Sequence, residues 1–250
     1  MEEQDYRTTY ELEGHNWWFV GMRRISLALL GHRPNAQPED RGPILDVGCG
    51  TGIMLEHLES MGSPTGLDFS ATALDFCRQR GADRLVQGRG EQLPFADASF
   101  AAVTAFGVVE HIDADRAAVE EWARVLRPGG DLVLLTSAYQ WMWSGHDVSN
   151  HHTRRYVTKE IRQLLEDAGL RPIRVSYVNS LLFPPILAVR IVERLRRGGR
   201  PPAPHKDTGE VPAPVNRMLV WLLDLERRMI ERRGLPFGVS IVASATKPTA

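Results

Sequence analysis

The chain has 250 residues, 43% hydrophobic and 24% charged, long enough for one large domain with an appendage and a real core. With 30 Lys+Arg against 31 Asp+Glu the formal net charge is -1, which disfavours a generic nucleic-acid binder. The two cysteines, Cys49 and Cys77, exclude a disulfide framework, and the longest apolar stretch is split by Pro184 and Pro185, which excludes a membrane span.

The start of the chain is acidic and has no apolar core, so no signal peptide is expected, and the protein reads as a cytoplasmic enzyme. To about residue 30 the sequence is rich in aromatics, among them Tyr6, Tyr10, Trp17, Trp18 and Phe19. It predicts a helical arm ending in MRRISLALLG, with Gly31 as C-cap, and the polar linker HRPNAQPEDRGP completes a segment over 1–43. From residue 44 to 137 short apolar runs alternate with helical patterns. ILDVG is a strand, TGIMLEHLESMG a helix closed by Gly62, and PTGLDF a second strand. SATALDFCRQRG follows as a helix with Ser70 as N-cap and Gly81 at its end. DRLVQG and FAAVTAF are further strands, DADRAAVEEWARVL a helix, and DLVLLTS a strand after the turn RPGG. This alternation predicts a parallel sheet with helices on both faces.

Beyond residue 137 a loop rich in aromatics and histidines, AYQWMWSGHDVSNHHTRRYV, leads to the helix TKEIRQLLEDAG and a strand near PIRVSYV. Residues 181–234 read as an insertion of two helical patterns around a Pro/Gly-rich linker, 198–214, expected to be flexible. FGVSIVASATK supplies the last strand. The expected fold is α/β: a Rossmann-like, seven-stranded, mostly parallel sheet with an antiparallel last strand, an N-terminal helical arm and a helical cap insertion. Its core would be 44–180 and 235–250.

Between the first strand and the first helix of the sheet lies Asp46-Val47-Gly48-Cys49-Gly50-Thr51-Gly52. Glycine there lets the backbone turn tightly and lets a ligand approach, and the following helix directs free N–H groups at it. Asp68 ends the second strand, where a carboxylate can accept the hydroxyls of a ribose. A dinucleotide fingerprint needs glycine at position 53, which is Ile53. The pattern present, an acid two residues before the first glycine, suits a cofactor bearing an amino group and a carboxylate.

ILDVGCGTG, GLDFS, GEQLPFADASF, GVVEHI and RVLRPGG, in that order, resemble the successive motifs of the class I S-adenosylmethionine-dependent methyltransferases, in particular the branch related to quinone-biosynthesis enzymes. The resemblance implies that Gly48 and Gly50 pass close to the methionine moiety and that Asp46 orders the loop and the amino group. It implies that Asp68 holds the ribose, that Phe69 flanks the adenine, and that Gly90 and Glu91 line the adenine edge. Phe106 and Gly107 would face the methionine carboxylate and the sulfonium. Arg89 stands where the family usually has an acid, and Phe100-Ala101 where it has Phe-Asp; the first weakens one adenine contact.

Methyl transfer from a sulfonium needs alignment and exclusion of water, and for a hydroxyl acceptor a base, for which histidine has a suitable pKa. The candidates are His111 after the fourth strand and His146 and His151 after the fifth, in the segment HDVSNHHTRRY. That segment is expected to line the acceptor pocket, with Arg154 or Arg155 binding an anionic group and Tyr156 beside them; the alternative is a capped loop whose arginines pair with surface acids. No zinc spacing is recognisable, so no metal is expected. Trp17, Trp18 and Arg23 form either a lid over sulfonium and substrate, with Trp18 as a contact, or a docked apolar helix. The cysteines read as packing residues.

Residues 186–235 carry eleven Lys/Arg and six Asp/Glu on two amphipathic helices. Such a pair can rest peripherally on an anionic membrane, form a homodimer face, or cap a lipid-like substrate; the cap is preferred and would close the acceptor pocket. The function implied is methyl transfer to a small or amphiphilic metabolite at a hydroxyl oxygen. C- or N-methylation, a non-methylating use of the cofactor such as cyclisation, and a non-catalytic scaffold stay open.

Overall fold

ILDV and FAAVTAF are mostly apolar and are buried on almost every consecutive residue, as strands covered on both faces must be. The computed structural model describes residues 3–31, 42–198, 200–204 and 209–249. Most of the first expected linker, and part of the second, fall outside these residues.

In chain order the elements are α1 (Glu3–Leu12), α2 (Trp17–Gly31), β1 (Pro43–Val47), α3 (Ile53–Leu58), β2 (Ser63–Asp68), α4 (Ala71–Gln79), β3 (Leu85–Gln87) and β4 (Phe100–Phe106). Then come α5 (Asp115–Val125), β5 (Leu126–Ser137), α6 (Gly145–Ser149), α7 (Thr158–Asp167), β6 (Arg171–Val178), α8 (Phe183–Arg197), α9 (Ala213–Arg232) and β7 (Ser240–Thr246). The sheet has seven strands in the order β3-β2-β1-β4-β5-β7-β6. The β1–β2, β1–β4, β2–β3 and β4–β5 pairs are parallel, and β7 runs antiparallel to both β5 and β6. The chain winds outward in opposite directions from β1 and β4, so a crevice opens between their carboxyl ends.

Alternate residues of the strands feed two apolar layers. Leu132 and Leu134 face Trp122 and Ile161 on one side. Val133 and Leu135 face Ile25, Leu58, Leu223 and Ile230 on the other. Ser70 caps α4, its hydroxyl accepting from the Ala73 amide. α3 is shorter than the sequence suggests: it ends at Leu58, and Gly62 belongs to the turn into β2, where a Cβ would lie 2.4 Å from the Gly42 carbonyl oxygen. RPGG, read as a turn, is part of β5.

The expected helical cap divides into two parts. α9 packs along α2 as a member of the second layer, burying Leu223 and Ile230. Leu223 packs directly against the α2 backbone at Gly21, where a Cβ would come within 2.2 Å of Leu223 Cδ1. Asn216 fastens their ends, its Oδ1 accepting from the Trp17 amide at 2.7 Å and its Nδ2 donating to the His15 carbonyl at 2.8 Å. α8 buries none of its residues.

Candidate active site

The loop after β1 is shaped by glycine. Gly48 has φ +66°, and a Cβ there would lie 2.6 Å from Val108 Cγ2, so no other residue fits. Gly50, also left-handed at φ +54°, differs: a Cβ on it, or on Gly107 at the end of β4, would meet no protein atom within 4 Å. Both backbones therefore face open space at the switch point, with room for a ligand to approach.

Asp68 locks this loop. Its Oδ2 accepts from the Gly50 amide at 3.0 Å and its Oδ1 from the Ser70 amide at 2.9 Å. Each carboxylate oxygen keeps a second lone pair, so the side chain can also accept from ribose hydroxyls. Burial raises its pKa, an effect these two amides oppose. Phe69 beside it is 65% exposed, an apolar face available for a base to stack on.

Asp46 lies under the loop, accepting from Thr104 Oγ1 at 2.6 Å. Burial pushes its carboxyl up to about 7; the Thr104 bond works against this, and the charges of Asp68 and Glu13 add to it. Glu13 arrives from the arm: it accepts from Thr51 Oγ1 and from Arg80 Nη2, the latter at 2.9 Å, while Arg80 Nε donates to the Thr51 carbonyl. Arg23 donates to the Glu13 carbonyl at 3.0 Å. The aromatic arm is thus docked and clasped to the glycine loop. Sequence reasoning missed Glu13 because a lone acid between Leu12 and Gly14 carries no pattern; only the fold brings Thr51 and Arg80 to it. Trp18 packs at the border of the second apolar layer, as does Phe106.

Where the sequence motifs lead one to expect the adenine edge, the Gly90 carbonyl accepts from Trp122 Nε1 at 3.0 Å, and Glu91 pairs with the exposed Arg89 at 3.2 Å. Glu91 is therefore partly engaged by the residue that replaces the family's usual acid.

The loops after β4 and β5 meet through Thr153, whose amide donates to the Glu110 carbonyl at 2.7 Å. This brings His111 against His152, ring centroids 4.7 Å apart, with the His146 ring 5.9 Å from that of His152. His152 Nδ1 lies 2.8 Å from Asp147 Oδ1. Despite the cost of burial, hydrogen bonds from His152 and Arg155 hold the Asp147 carboxyl well below its ordinary range, so Asp147 is ionised and Nδ1 must carry the proton. Burial lowers the pKa of His111, partly offset by Glu110, although its surface remains accessible. His146 Nε2 is 3.1 Å from Asn150 Nδ2. His151 has φ +56° and an exposed side chain and meets His111 through its backbone, whereas the ring packed against His111 is that of His152.

Three residues expected at the acceptor have other partners. Arg155 is 6% exposed and makes a two-pronged bond to Asp147, Nε at 2.7 Å and Nη2 at 2.9 Å, with Nη1 on the Ala138 carbonyl. It orders the loop and cannot also receive an anion. Tyr156 is buried, its hydroxyl donating to Asp115 Oδ2 at 2.9 Å. Arg154 pairs with Asp115 and Glu160 and lies over the Tyr156 ring, as the capped-loop alternative had it.

Among the described residues no helix is long and apolar enough to cross a membrane, and no His/Cys/Asp/Glu cluster is arranged for a metal. Cys49 and Cys77 are buried packing partners.

Residues 45–134 match a family model described as a methyltransferase domain. A Mycobacterium tuberculosis protein described as a probable S-adenosylmethionine-dependent methyltransferase is 31% identical over 167 residues, 65% of this chain and 59% of that protein. A demethylmenaquinone methyltransferase of a Mycobacterium species is 43% identical over 117 residues, 45% of this chain and 46% of that one. The matches thus span less than two thirds of these relatives' length. Among solved structures, a chain of a Haloferax volcanii complex between a methyltransferase activator and a methyltransferase shares the fold, with TM-score 0.61, 18% identity, and 99% and 95% of the two chains covered. The switch-point crevice, the glycine cradle locked by an acid and these matches agree with the five sequence motifs: residues 45–134 match a methyltransferase domain, and the chain is similar to S-adenosylmethionine-dependent methyltransferases.

Proposed function

We propose that this protein transfers a methyl group from S-adenosylmethionine to a hydroxyl oxygen of a small or amphiphilic acceptor, with His111 as the base. The cofactor supplies an electrophilic methyl on a cationic sulfur. Around it Asp68 holds the ribose, Phe69 covers the adenine, Gly50 and Gly107 admit the methionine, and Asp46 answers its ammonium group.

What supports oxygen as the methylated atom is the position of His111 after β4, its ring 4.7 Å from that of the Asp147-anchored His152, where burial lowers its pKa. A neutral imidazole at pH 7 can take the hydroxyl proton as the carbon–oxygen bond forms. Glu110, buried next to it and bonded by Thr136 Oγ1 at 2.9 Å, then faces the imidazolium. Arg155 serves this arrangement from behind, by fixing Asp147.

The test is incubation with the cofactor and a panel of hydroxylated metabolites, followed by mass spectrometry. The expected product carries one added methyl on oxygen, alongside S-adenosylhomocysteine, and His111→Asn should slow the reaction by about 10²-fold or more. A methyl found on carbon or nitrogen, or a His111→Asn variant of full activity, would overturn the assignment.

A further inference from the structure

One strand beyond the crevice, on the same edge of the sheet, the segment after β5, the last turn of α8 and the residues that follow it line a half-open cavity of about 320 Å³, in which Arg194 and Arg200 are exposed. Its walls include Gln140, Trp141, Trp143, Arg194, Arg197 and Arg200. Among the described residues none of these three guanidinium groups is paired with a carboxylate, although Glu193 on the same helix is paired with Arg190. Arg197 Nε is buried with no hydrogen-bond partner. Basic residues in a last helical turn complement the helix dipole, but that role is met by a solvated guanidinium. It accounts neither for three of them lining one cavity nor for a buried donor left unmatched, which is costly unless something accepts from it.

We propose that this cavity binds a phosphate-class oxyanion carried by the methyl acceptor. Three cations match a group of two or more negative charges; a lone carboxylate would be satisfied by one two-pronged arginine. The chemistry beside the cavity fits an apolar remainder. Trp141 stacks on Tyr139 at 5.1 Å and meets Phe183 edge-on at 6.4 Å, and Phe183 in turn touches Phe237. This aromatic wall runs from the end of β5 to α8. The anion-binding role that the sequence assigned to Arg154 or Arg155 thus moves to arginines of the insertion. The inference deepens the methyl-transfer reading and rests on it for the identity of the ligand as acceptor.

Calorimetric titration of the full chain with inorganic phosphate, with dodecyl phosphate below its micelle concentration, and with vesicles of phosphatidic acid tests the site. The variant is Arg194→Gln/Arg197→Gln/Arg200→Gln, with Arg197→Lys as the conservative control. Dodecyl phosphate should bind the native chain at least about tenfold more tightly than the triple variant, as loss of charge-assisted bonds requires. The variant should keep its affinity for S-adenosylmethionine, which shows that it is folded and separates this test from that of the cofactor site. The same dependence with inorganic phosphate supports the site and marks a soluble phosphate ester as the source; dependence with dodecyl phosphate alone supports it and marks an amphiphile. Equal binding by native and variant chains, or binding to vesicles alone, would overturn the proposal.

Discussion

Replacing Asp68 separates two contributions that the carboxylate makes at once. It is 5% exposed and accepts from the Gly50 amide at 3.0 Å and the Ser70 amide at 2.9 Å, and the ribose would add at least one further bond. A hydrogen bond to a charged group contributes about 1.5–3 kcal/mol, so losing the ribose contact alone lowers cofactor affinity by about tenfold or more. Asp68→Ala also frees the Gly50 amide, and the energy needed to re-order the loop adds to the loss, for a total of about 10²-fold. Asp68→Asn retains one acceptor but turns an amide donor toward a backbone N–H, so it should not rescue. Calorimetric titration with S-adenosylhomocysteine reads the affinity directly, and thermal unfolding confirms that the variants are folded. If a folded Asp68→Ala chain binds the cofactor as tightly as the native one, both the ribose contact and the loop lock are misassigned.

The Asp46 carboxyl, raised to about 7 by burial, is largely protonated in the ligand-free protein below that pH, so cofactor affinity should climb as pH rises through about 7, and Asp46→Asn should flatten the profile. Because the folded value lies above the unfolded one, this group's contribution to stability is complete below the unfolded pKa and is lost as pH rises through about 7; urea unfolding of the ligand-free chain against pH measures it. Asp147→Ala strands the buried Arg155 charge and should cost about 3–5 kcal/mol in the same assay, with Asp147→Ala/Arg155→Met recovering much of it. Gly21→Ala drives a methyl into Leu223 Cδ1 and should cost about 1–3 kcal/mol, read as a lower Tm, which Leu223→Ala on the same chain partly restores.

The sheet was legible in the sequence because strands covered on both faces must be apolar without interruption, and because Ser70 and the glycines punctuate the helices between them. Asp68 was located differently, by its place at the carboxyl end of the second strand, where a carboxylate can reach the hydroxyls of a ribose. What the sequence could not show is which of several polar residues in one loop is consumed by another. Arg154 and Arg155 are adjacent and chemically alike, yet one pairs at the surface while the other lies under the loop, because the backbone alternates and only one side faces Asp147. His151 and His152 part for the same reason, the first left-handed and outward, the second turned in. Nor do hydrophobic stripes tell α8 from α9, since both are amphipathic and basic. The distinguishing signal was on the partner helix: Gly21 in α2 makes room for Leu223, and a glycine inside a helix invites the question of what approaches it.

Three carboxylates converge on the glycine loop, and their electrostatics indicate what the crevice is built to receive. Glu13 is answered by Arg80, and its pKa nonetheless remains raised by burial. Asp68 is answered by two amides, and its pKa too remains raised. Asp46 has a neutral hydroxyl and, among the described residues, no cation that bears on it, while the charges of the other two do. A protein under selection for stability alone would replace such a group with an apolar residue, since buried acids without counter-charge destabilise the fold. The arrangement is relieved by a ligand that brings positive charge to the loop. An ammonium group and a sulfonium do so, whereas a pyrophosphate would add two more negative charges to a site already short of cations. The electrostatics of the crevice, independently of the order of its motifs, therefore favour a cationic amino-acid nucleoside over a dinucleotide.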